Sequence, residues 1–280
     1  MTLQVRVVTD STTNVPPELA ERLQIMVVPC VVRFGNETFR DEVDLSKDAF
    51  YHRLATTSLL PATSQPPAGE FEEAYRRLQA AGSAIVSVHT TSTLSGILNS
   101  AHAAAMALAG AEIELVDTLT TTLAAGWIAI AAAEAAQAGA SLKEIARQAR
   151  AMVPRTRLFA VLDTLEYLRK GGRVHWAAAF LGNLLQIKPI VELREGVLSL
   201  RERPRTFRRA LARLAELVQE FGPLERLGVV HARAQEAAIQ LADLLGAHYP
   251  REKILITEAS TALVCHAGPG AVGVAAVLAP

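Results

Sequence analysis

The stretch ATSQPPAGEF (residues 62–71) groups three small polar side chains directly before two prolines. Proline presets its own φ angle and suits the first position of a helix, so the pair predicts a rigid helix start. Such a start would hold Thr63, Ser64 and Gln65 at the mouth of the helix, where they would act as hydrogen-bond donors and not as a general base. A capped helix without a ligand is the alternative that this motif leaves open.

A second hydroxyl-rich stretch, HTTSTLSGILNSA (residues 89–101), has a similar arrangement. Ser92 and Ser95 precede or open a helix predicted over Ser95–Ala109, and Gly96 follows in the same candidate site. Small apolar side chains on one face of this helix would leave room beside it. Tight packing against another helix is the alternative interpretation.

Near the C-terminus, His266 stands two residues before a Gly-Pro-Gly sequence (residues 268–270) that leads into a predicted strand. Glycine there allows a positive φ or a close backbone approach. A histidine on such a turn could donate a hydrogen bond to an anion. A turn histidine that faces solvent is the alternative.

The stretch LEYLRKGGRVH gathers Arg169, Lys170, Arg173 and His175 around a pair of glycines. Basic side chains in this arrangement could bind a phosphate group or the acidic surface of a partner protein. A solvated helix end would give the same pattern.

The predicted elements bring the hydroxyl groups together. Three strands, Val5–Thr9, Ala84–Val88 and Ile113–Val116, each lead into a run of Asp, His, Ser and Thr residues. In a parallel sheet the carboxyl ends of the strands share one edge, and ligands bind there. The three loops therefore predict a polar site at that edge, although Ser, Thr and Asp also cap helices that bind nothing.

The first half of the chain alternates strands and helices, which predicts a parallel sheet covered by helices on both faces. A fourth strand is predicted over Ile25–Val32. The remaining helical patterns cover Pro17–Leu23, Lys47–Leu54, Gly69–Ala80 and Leu123–Ala138.

The organisation changes near Phe159, where a hairpin that turns at Glu195-Gly196 indicates antiparallel pairing. We therefore predict an α/β fold with two domains. Residues 1–155 would form the parallel sheet and its helices, and residues 156–280 an α+β domain with a mixed or antiparallel sheet.

The composition excludes several classes of protein. The 280 residues carry 28 basic and 28 acidic side chains, so no overall charge favours nucleic acid or an anionic membrane. The first residues run directly into a strand, without a signal-peptide pattern, and the apolar stretch from Leu123 is interrupted by Glu134, so we expect a cytoplasmic protein without stable membrane insertion. Cys30 and Cys265 lack metal-ligand spacing, and we expect no metal site.

The motifs identify a resemblance to the DegV family of bacterial fatty-acid-binding proteins. It covers nearly the whole chain, through VVTDSTTNVP, ATSQPPAGEF, STLSGILNSA, VDTLTTTLAAG, LDTLEYLRKGGRVHWAAAFLGNLLQIKPI and HAGPGAVGVA. Two stretches depart from the family pattern: Thr93 replaces a usual glycine before LSG, and DTLTTT replaces a more serine-rich run.

The resemblance implies that a long-chain fatty acid such as palmitate lies buried between the domains. Its carboxylate would be held by Thr63 and Ser95 with His266 nearby, and Ser64, Ser92 and Gly96 would complete the site. Members of the family present the bound acid to a separate fatty acid kinase catalytic subunit, without a cofactor of their own. The basic turn at Arg169, Lys170 and Arg173 would then dock that subunit.

The residues by themselves are also compatible with two other functions. A serine hydrolase or acyltransferase could use Ser95 or Ser11 with His266 and an aspartate, but the chain has no GxSxG motif. A nucleotide-binding regulator is disfavoured because the chain has no GxxxxGK[ST] phosphate loop.

Overall fold

The structure is a computed structural model that describes residues 4–174 and 187–280. Its first half contains seven strands and six α-helices. The strands are β1 (Gln4–Asp10), β2 (Met26–Val28), β3 (Val31–Phe34), β4 (Glu37–Arg40), β5 (Ala62–Ser64), β6 (Ser83–His89) and β7 (Ile113–Asp117). The helices are α1 (Pro17–Leu23), α2 (Lys47–Thr56), α3 (Ala68–Ala80), α4 (Ile97–Ala107), α5 (Thr122–Gln137) and α6 (Leu142–Met152).

Four strands form a parallel sheet in the order β2-β1-β6-β7. All seven residues of β6 are buried, as expected for a central strand covered by helices on both faces. Because β1, β6 and β7 are neighbours and run in the same direction, their hydroxyl-rich loops emerge side by side. The predicted parallel sheet and the shared edge of its strand ends are confirmed.

The strand predicted over Ile25–Val32 is wrong as a single element. Pro29 has no N–H group and cannot continue a ladder of hydrogen bonds, so β2 ends at Val28. The chain then leaves the parallel sheet, and β3 pairs in antiparallel fashion with β4 and β5 in a separate three-stranded sheet.

The position predicted for Thr63 and Ser64 at the mouth of a helix is also wrong. Both residues lie on β5, where Thr63 is opposite Val32 of β3. The two prolines separate this strand from α3, which begins at Ala68. The hydroxyl group of Thr63 is therefore placed by strand pairing.

The second half contains six strands and four α-helices among its described residues. In chain order they are β8 (Thr156–Val161), α7 (Glu166–Gly171), β9 (Ile190–Arg194), β10 (Val197–Glu202), α8 (Phe207–Gln219), β11 (Leu224–His231), α9 (Gln235–Leu245), β12 (Leu255–Glu258), α10 (Thr261–Ala267) and β13 (Val272–Leu278).

These strands form one mixed sheet in the order β10-β9-β8-β13-β11-β12, in which only β11 and β12 pair in parallel. The predicted hairpin is confirmed: Glu195 and Gly196 have φ angles of 51° and 78° between β9 and β10. Positive φ at both central residues is typical of a tight hairpin turn. The second sheet is thus mixed, as predicted.

Helix α5 joins the two halves. It is apolar and nearly fully buried, which places it in the interior of the molecule. Trp127 donates from Nε1 to the carbonyl oxygen of Ala275 on β13, at 3.2 Å. One hydrophobic core contains residues of both halves, so the division at residues 155 and 156 stays a prediction.

None of the helices in the described ranges has the length and apolar character needed to cross a membrane.

Candidate functional site

A cavity lies between the carboxyl edge of the parallel sheet and one face of the six-stranded sheet. It has about 1210 Å³ of atom-free space, its open mouth included. Alternate residues of β8 and β9 face it, while Phe159, Val161 and Ile190 pack into a second core on the opposite face of the sheet. The aliphatic side chains along it are Leu94, Ile97, Leu158, Leu162, Leu168, Val191, Leu193, Leu198, Val230 and Leu263.

One part of the cavity is polar and is built from both halves of the chain. Thr63 Oγ1 and His266 Nε2 are 2.7 Å apart, although the two residues are separated by 203 positions in the sequence. Ser64, Gln65 and Ser95 line the cavity with them. The structure therefore brings together the threonine, serine and histidine that the motifs selected.

The loop position predicted for His266 is wrong, because His266 belongs to the last helical turn of α10. Ser260 caps the start of this helix by accepting from the N–H of Leu263, and Gly268, which has a φ of 78°, caps its end directly after Ala267. The Gly-Pro-Gly sequence follows the helix. The imidazole is therefore held by a regular element.

The ring of His266 is neutral at neutral pH. Burial and the neighbouring guanidinium of Arg173 lower the pKa of His266 to about 4. Its Nδ1 atom is buried and has no hydrogen-bond partner among the described residues. Only Nε2 is engaged, through Thr63.

The two hydroxyl motifs meet at Gly96. A Cβ atom on Gly96 would lie 2.9 Å from Cδ of Gln65, so glycine lets this amide side chain lie over the start of α4. That helix begins at Ile97, two residues later than predicted, and Ser95 Oγ accepts weakly from the N–H of Ile97 at 3.4 Å. The hydroxyl of Ser95 is thus left available to the cavity that it lines.

Ser92 lies apart from this group. It is exposed, and its hydroxyl donates to Oδ2 of Asp117 at 2.5 Å. It is not among the described residues that line the cavity. Its role in binding a head group stays a prediction, and the geometry does not add to it.

All three basic side chains of the turn are exposed, but only Arg173 also reaches the cavity. Arg173 lines the cavity, and its Nη1 donates to the carbonyl oxygen of Gly171 at 2.8 Å. Arg169 and Lys170 are exposed on α7, where Lys170 pairs with Glu166 at 2.6 Å. His175 lies outside the described residues.

Three threonines at the ends of the parallel strands form a directed row of hydrogen bonds. Thr12 donates to the buried carboxylate of Asp10, which can only accept. Thr90 must then donate to Thr12 at 2.7 Å, and Thr121 to Thr90 at 3.2 Å. The hydroxyl protons of this row all point toward Asp10. A ligand in the cavity would therefore meet only hydrogen-bond acceptors on these three hydroxyl groups.

Sequence reasoning missed a buried Ser-His-Asp arrangement in the parallel sheet. His89 lies 2.6 Å from Ser87 through Nε2 and 3.1 Å from Asp10 through Nδ1. All three side chains are fully buried, and Tyr75 is hydrogen bonded to Ser87 at 2.7 Å. The spacing of Ser87 and His89 puts both on one face of β6, which was the only signal in the sequence.

The predicted hydrolase arrangement receives no support from the geometry. His266 is bonded to Thr63, while the hydroxyl of Ser11 donates to Asp41 at 2.6 Å. Within the described part of the chain, Ser95 is not hydrogen bonded to His266, and no aspartate orients Nδ1 of His266. The same residues contain no group of three metal-ligating side chains.

Fold and site together define an α/β protein with a mainly apolar cavity whose lining includes hydroxyl groups and an imidazole. The model of the DegV family, described as "Uncharacterised protein, DegV family", matches residues 4–279. The chain belongs to the DegV family.

Relatives of known sequence and structure match over nearly the full length. Protein DegV of Bacillus subtilis is 35% identical over 276 residues, which is 97% of this chain and 98% of that protein. The solved structure of a fatty-acid-binding DegV family protein from Thermus thermophilus superposes with a TM-score of 0.91 at 28% identity, covering 99% of this chain and 100% of that one. The structure of DegV from B. subtilis, a fatty acid binding protein, gives a TM-score of 0.88 at 33% identity and the same coverage.

Proposed function

We propose that this protein binds a long-chain fatty acid in the cavity and presents its carboxylate to a separate fatty acid kinase subunit. The observation that carries the proposal is the hydrogen bond between Thr63 and His266 in a cavity that is lined mainly by apolar side chains. The solved relatives from T. thermophilus and B. subtilis are described as fatty-acid-binding proteins, which supports the same ligand class here.

The aliphatic lining would provide most of the affinity. Burial of one methylene contributes about 0.8 kcal/mol, so a tail of about sixteen carbons contributes on the order of 10 kcal/mol before the costs of binding. Residues from both halves supply this lining, which agrees with a tail held between the two sheets.

The head group needs polar partners because a bare carboxylate is costly to bury. The hydroxyls of Thr63 and Ser95 can donate to it, and the neutral ring of His266 can hold Thr63 in place. Arg173 adds a positive charge beside the ring, so the acid need not lie in a wholly neutral site. A carboxylate that is held mainly by hydroxyl groups stays accessible to phosphorylation.

In this proposal the protein acts in the cytoplasm and has no catalytic activity alone. The kinase subunit supplies ATP and docks near the mouth of the cavity. The exposed Arg169 and Lys170 on α7 would contact an acidic surface of the kinase.

The binding step is tested by extracting the purified protein with organic solvent and analysing the extract by mass spectrometry. We expect a long-chain fatty acid, and we expect Thr63→Val to lower the affinity for added palmitate at least tenfold. Thr38→Val is the matched control, because Thr38 is exposed on the same three-stranded sheet and does not line the cavity. An empty extract together with no uptake of palmitate or oleate would refute the proposal.

The presentation step is tested with a bacterial fatty acid kinase subunit and ATP. Arg169→Glu should slow acyl-phosphate formation severalfold while palmitate binding stays unchanged. Arg22→Glu, an exposed charge reversal on α1, is the control. Equal rates for both variants would rule out docking at Arg169.

A further inference from the structure

We infer that Asp41, which does not line the cavity, is the positioning residue that fixes Thr63 and His266 relative to each other. The inference rests on the proposed role of that pair as a head-group site. Thr63 lies on β5 and His266 on α10. Their 2.7 Å contact therefore requires these two elements to be held in a fixed position relative to each other. Asp41 supplies a connection between them.

The side chain of Asp41 is 2% exposed and accepts three hydrogen bonds. Oδ2 accepts from the hydroxyl of Ser11 at 2.6 Å. Oδ1 accepts from the hydroxyl of Thr261 at 2.6 Å and from the N–H of Ala262 at 3.2 Å. Both oxygens are therefore in use, and they join segments that are far apart in the sequence.

On one side these bonds lead to Thr63. The backbone N–H of Asp41 donates to the carbonyl oxygen of Cys30 at 2.8 Å, and Ser11 Oγ accepts from the N–H of Cys30 at 3.0 Å. Cys30 is thus held at both backbone groups, directly before β3. Val32, two residues on, is the partner of Thr63 in the three-stranded sheet.

On the other side they lead to His266. Thr261 and Ala262 are the first two residues of α10, where a carboxylate is also favoured by the helix dipole. His266 lies four residues after Ala262, on the same helix face. The helix has seven residues, so a displacement of its first turn is passed directly to the imidazole.

The negative charge of Asp41 matters because both oxygens must accept. In Asp41→Asn an NH2 group, which can only donate, replaces one carboxylate oxygen while the side-chain volume is kept. The charge-assisted bond given to that oxygen, by Ser11 or by the start of α10, is then lost or is replaced by a weaker neutral bond in the reverse direction. The variant therefore loosens one side of the connection without emptying space in the core.

The experiment measures palmitate affinity for the full chain in four proteins: wild type, Asp41→Asn, Thr63→Val and the double variant. We expect Asp41→Asn to weaken binding about tenfold, and to add less than twofold in the Thr63→Val background, where the pair it positions is already absent. Asp44→Asn is the matched control, since Asp44 lies on the same loop, is exposed and pairs with Arg40 only at the surface.

A second readout does not depend on the ligand. The side-chain ¹⁵N resonance of Nε2 in His266 should shift in Asp41→Asn and stay unchanged in Asp44→Asn. If Asp41→Asn fails to fold, Thr261→Val and Ser11→Ala take its place in both measurements. Thr261→Val removes one bond to Asp41, and Ser11→Ala removes one bond to Asp41 together with the bond from the N–H of Cys30.

Two results would overturn the inference: an affinity and a resonance equal to those of the wild type, or the same fold loss of affinity in both backgrounds. If the wild type does not bind palmitate, the proposed function fails, and the resonance alone then decides on the role of Asp41.

Discussion

Gly171 lies so close to His266 that a Cβ atom on residue 171 would come within 2.5 Å of Nδ1. This places the end of α7 directly against the ring that contacts Thr63 on its other side. The imidazole is thereby held between a backbone and a hydroxyl group. Residue 171 must be glycine for this contact to exist.

Replacing Gly171 by alanine should therefore weaken fatty acid binding about tenfold. The new methyl group must displace the ring, because real Cβ atoms do not come this close to another atom. Helix propensity alone would favour alanine by about 1 kcal/mol. We therefore expect the affinity for palmitate to fall without a matching fall in the free energy of unfolding. Titration with palmitate measures the affinity, and urea unfolding measures the stability. The control is Gly69→Ala on α3, where a Cβ meets no atom within 4 Å; equal affinities of the two variants would contradict the prediction.

The lowered pKa of His266 predicts a loss of stability in mild acid. The folded protein takes up a proton on this ring only near pH 4, whereas the unfolded chain does so near the ordinary value of 6.5. Between these values the unfolded state binds more protons, so the free energy of unfolding falls as the pH drops, by about 3 kcal/mol in all. Urea unfolding of lipid-free protein at pH 7, 6 and 5 measures this. His266→Gln should remove the contribution; an unchanged pH dependence in that variant would count against it.

Glu42 should change the free energy of unfolding in the opposite direction over nearly the same range of pH. The side chain of Glu42 is 35% exposed, and its partial burial raises the pKa of Glu42 to about 7, against the nearby charge of Lys47, which lowers it. The folded state then keeps a proton that the unfolded state loses above about pH 4.5, so stability falls as the pH rises toward 7. Glu42→Gln should raise the free energy of unfolding at pH 8 by up to about 2 kcal/mol, after allowance for solvent screening. The same urea titrations test this, and a variant less stable than wild type at pH 8 would exclude it.

A comparison of Thr120 with Thr118 measures how much an unpaired buried hydroxyl group lowers the free energy of unfolding. Both are buried, but Thr120 Oγ1 has no partner in the described structure, whereas Thr118 Oγ1 donates to the carbonyl oxygen of His89 at 2.8 Å. Valine has nearly the same shape as threonine. Thr120→Val should therefore stabilise the protein by about 1 kcal/mol, and Thr118→Val should destabilise it by about as much or more. Denaturation curves that move in the same direction for both variants would contradict this reasoning.

Local sequence patterns predicted the elements whose causes are local. The alternation of β1, β6 and β7 with helices indicated the parallel sheet, and the glycine turn before β10 indicated the hairpin. The patterns failed where pairing with a distant segment decides the structure. The residues of β5 become a strand because they pair with β3, which lies about thirty positions earlier.

The site shows the same division. The motif around Thr63 and the one around His266 each pointed to a polar group, but no local pattern could state that the two would meet, and only the family resemblance implied it. Asp41 was missed because a single carboxylate in a loop has no distinguishing neighbours in the sequence. Its importance depends on Ser11 and Thr261, which reach it only in the folded chain.

Strand β13 lies in the middle of its sheet, between β8 and β11. It is the last of the six strands along the chain, and without it the groups β10-β9-β8 and β11-β12 have no hydrogen-bonded strand between them. Gly273 and Ala271 also line the cavity, which therefore gains its final wall only after translation of the strand.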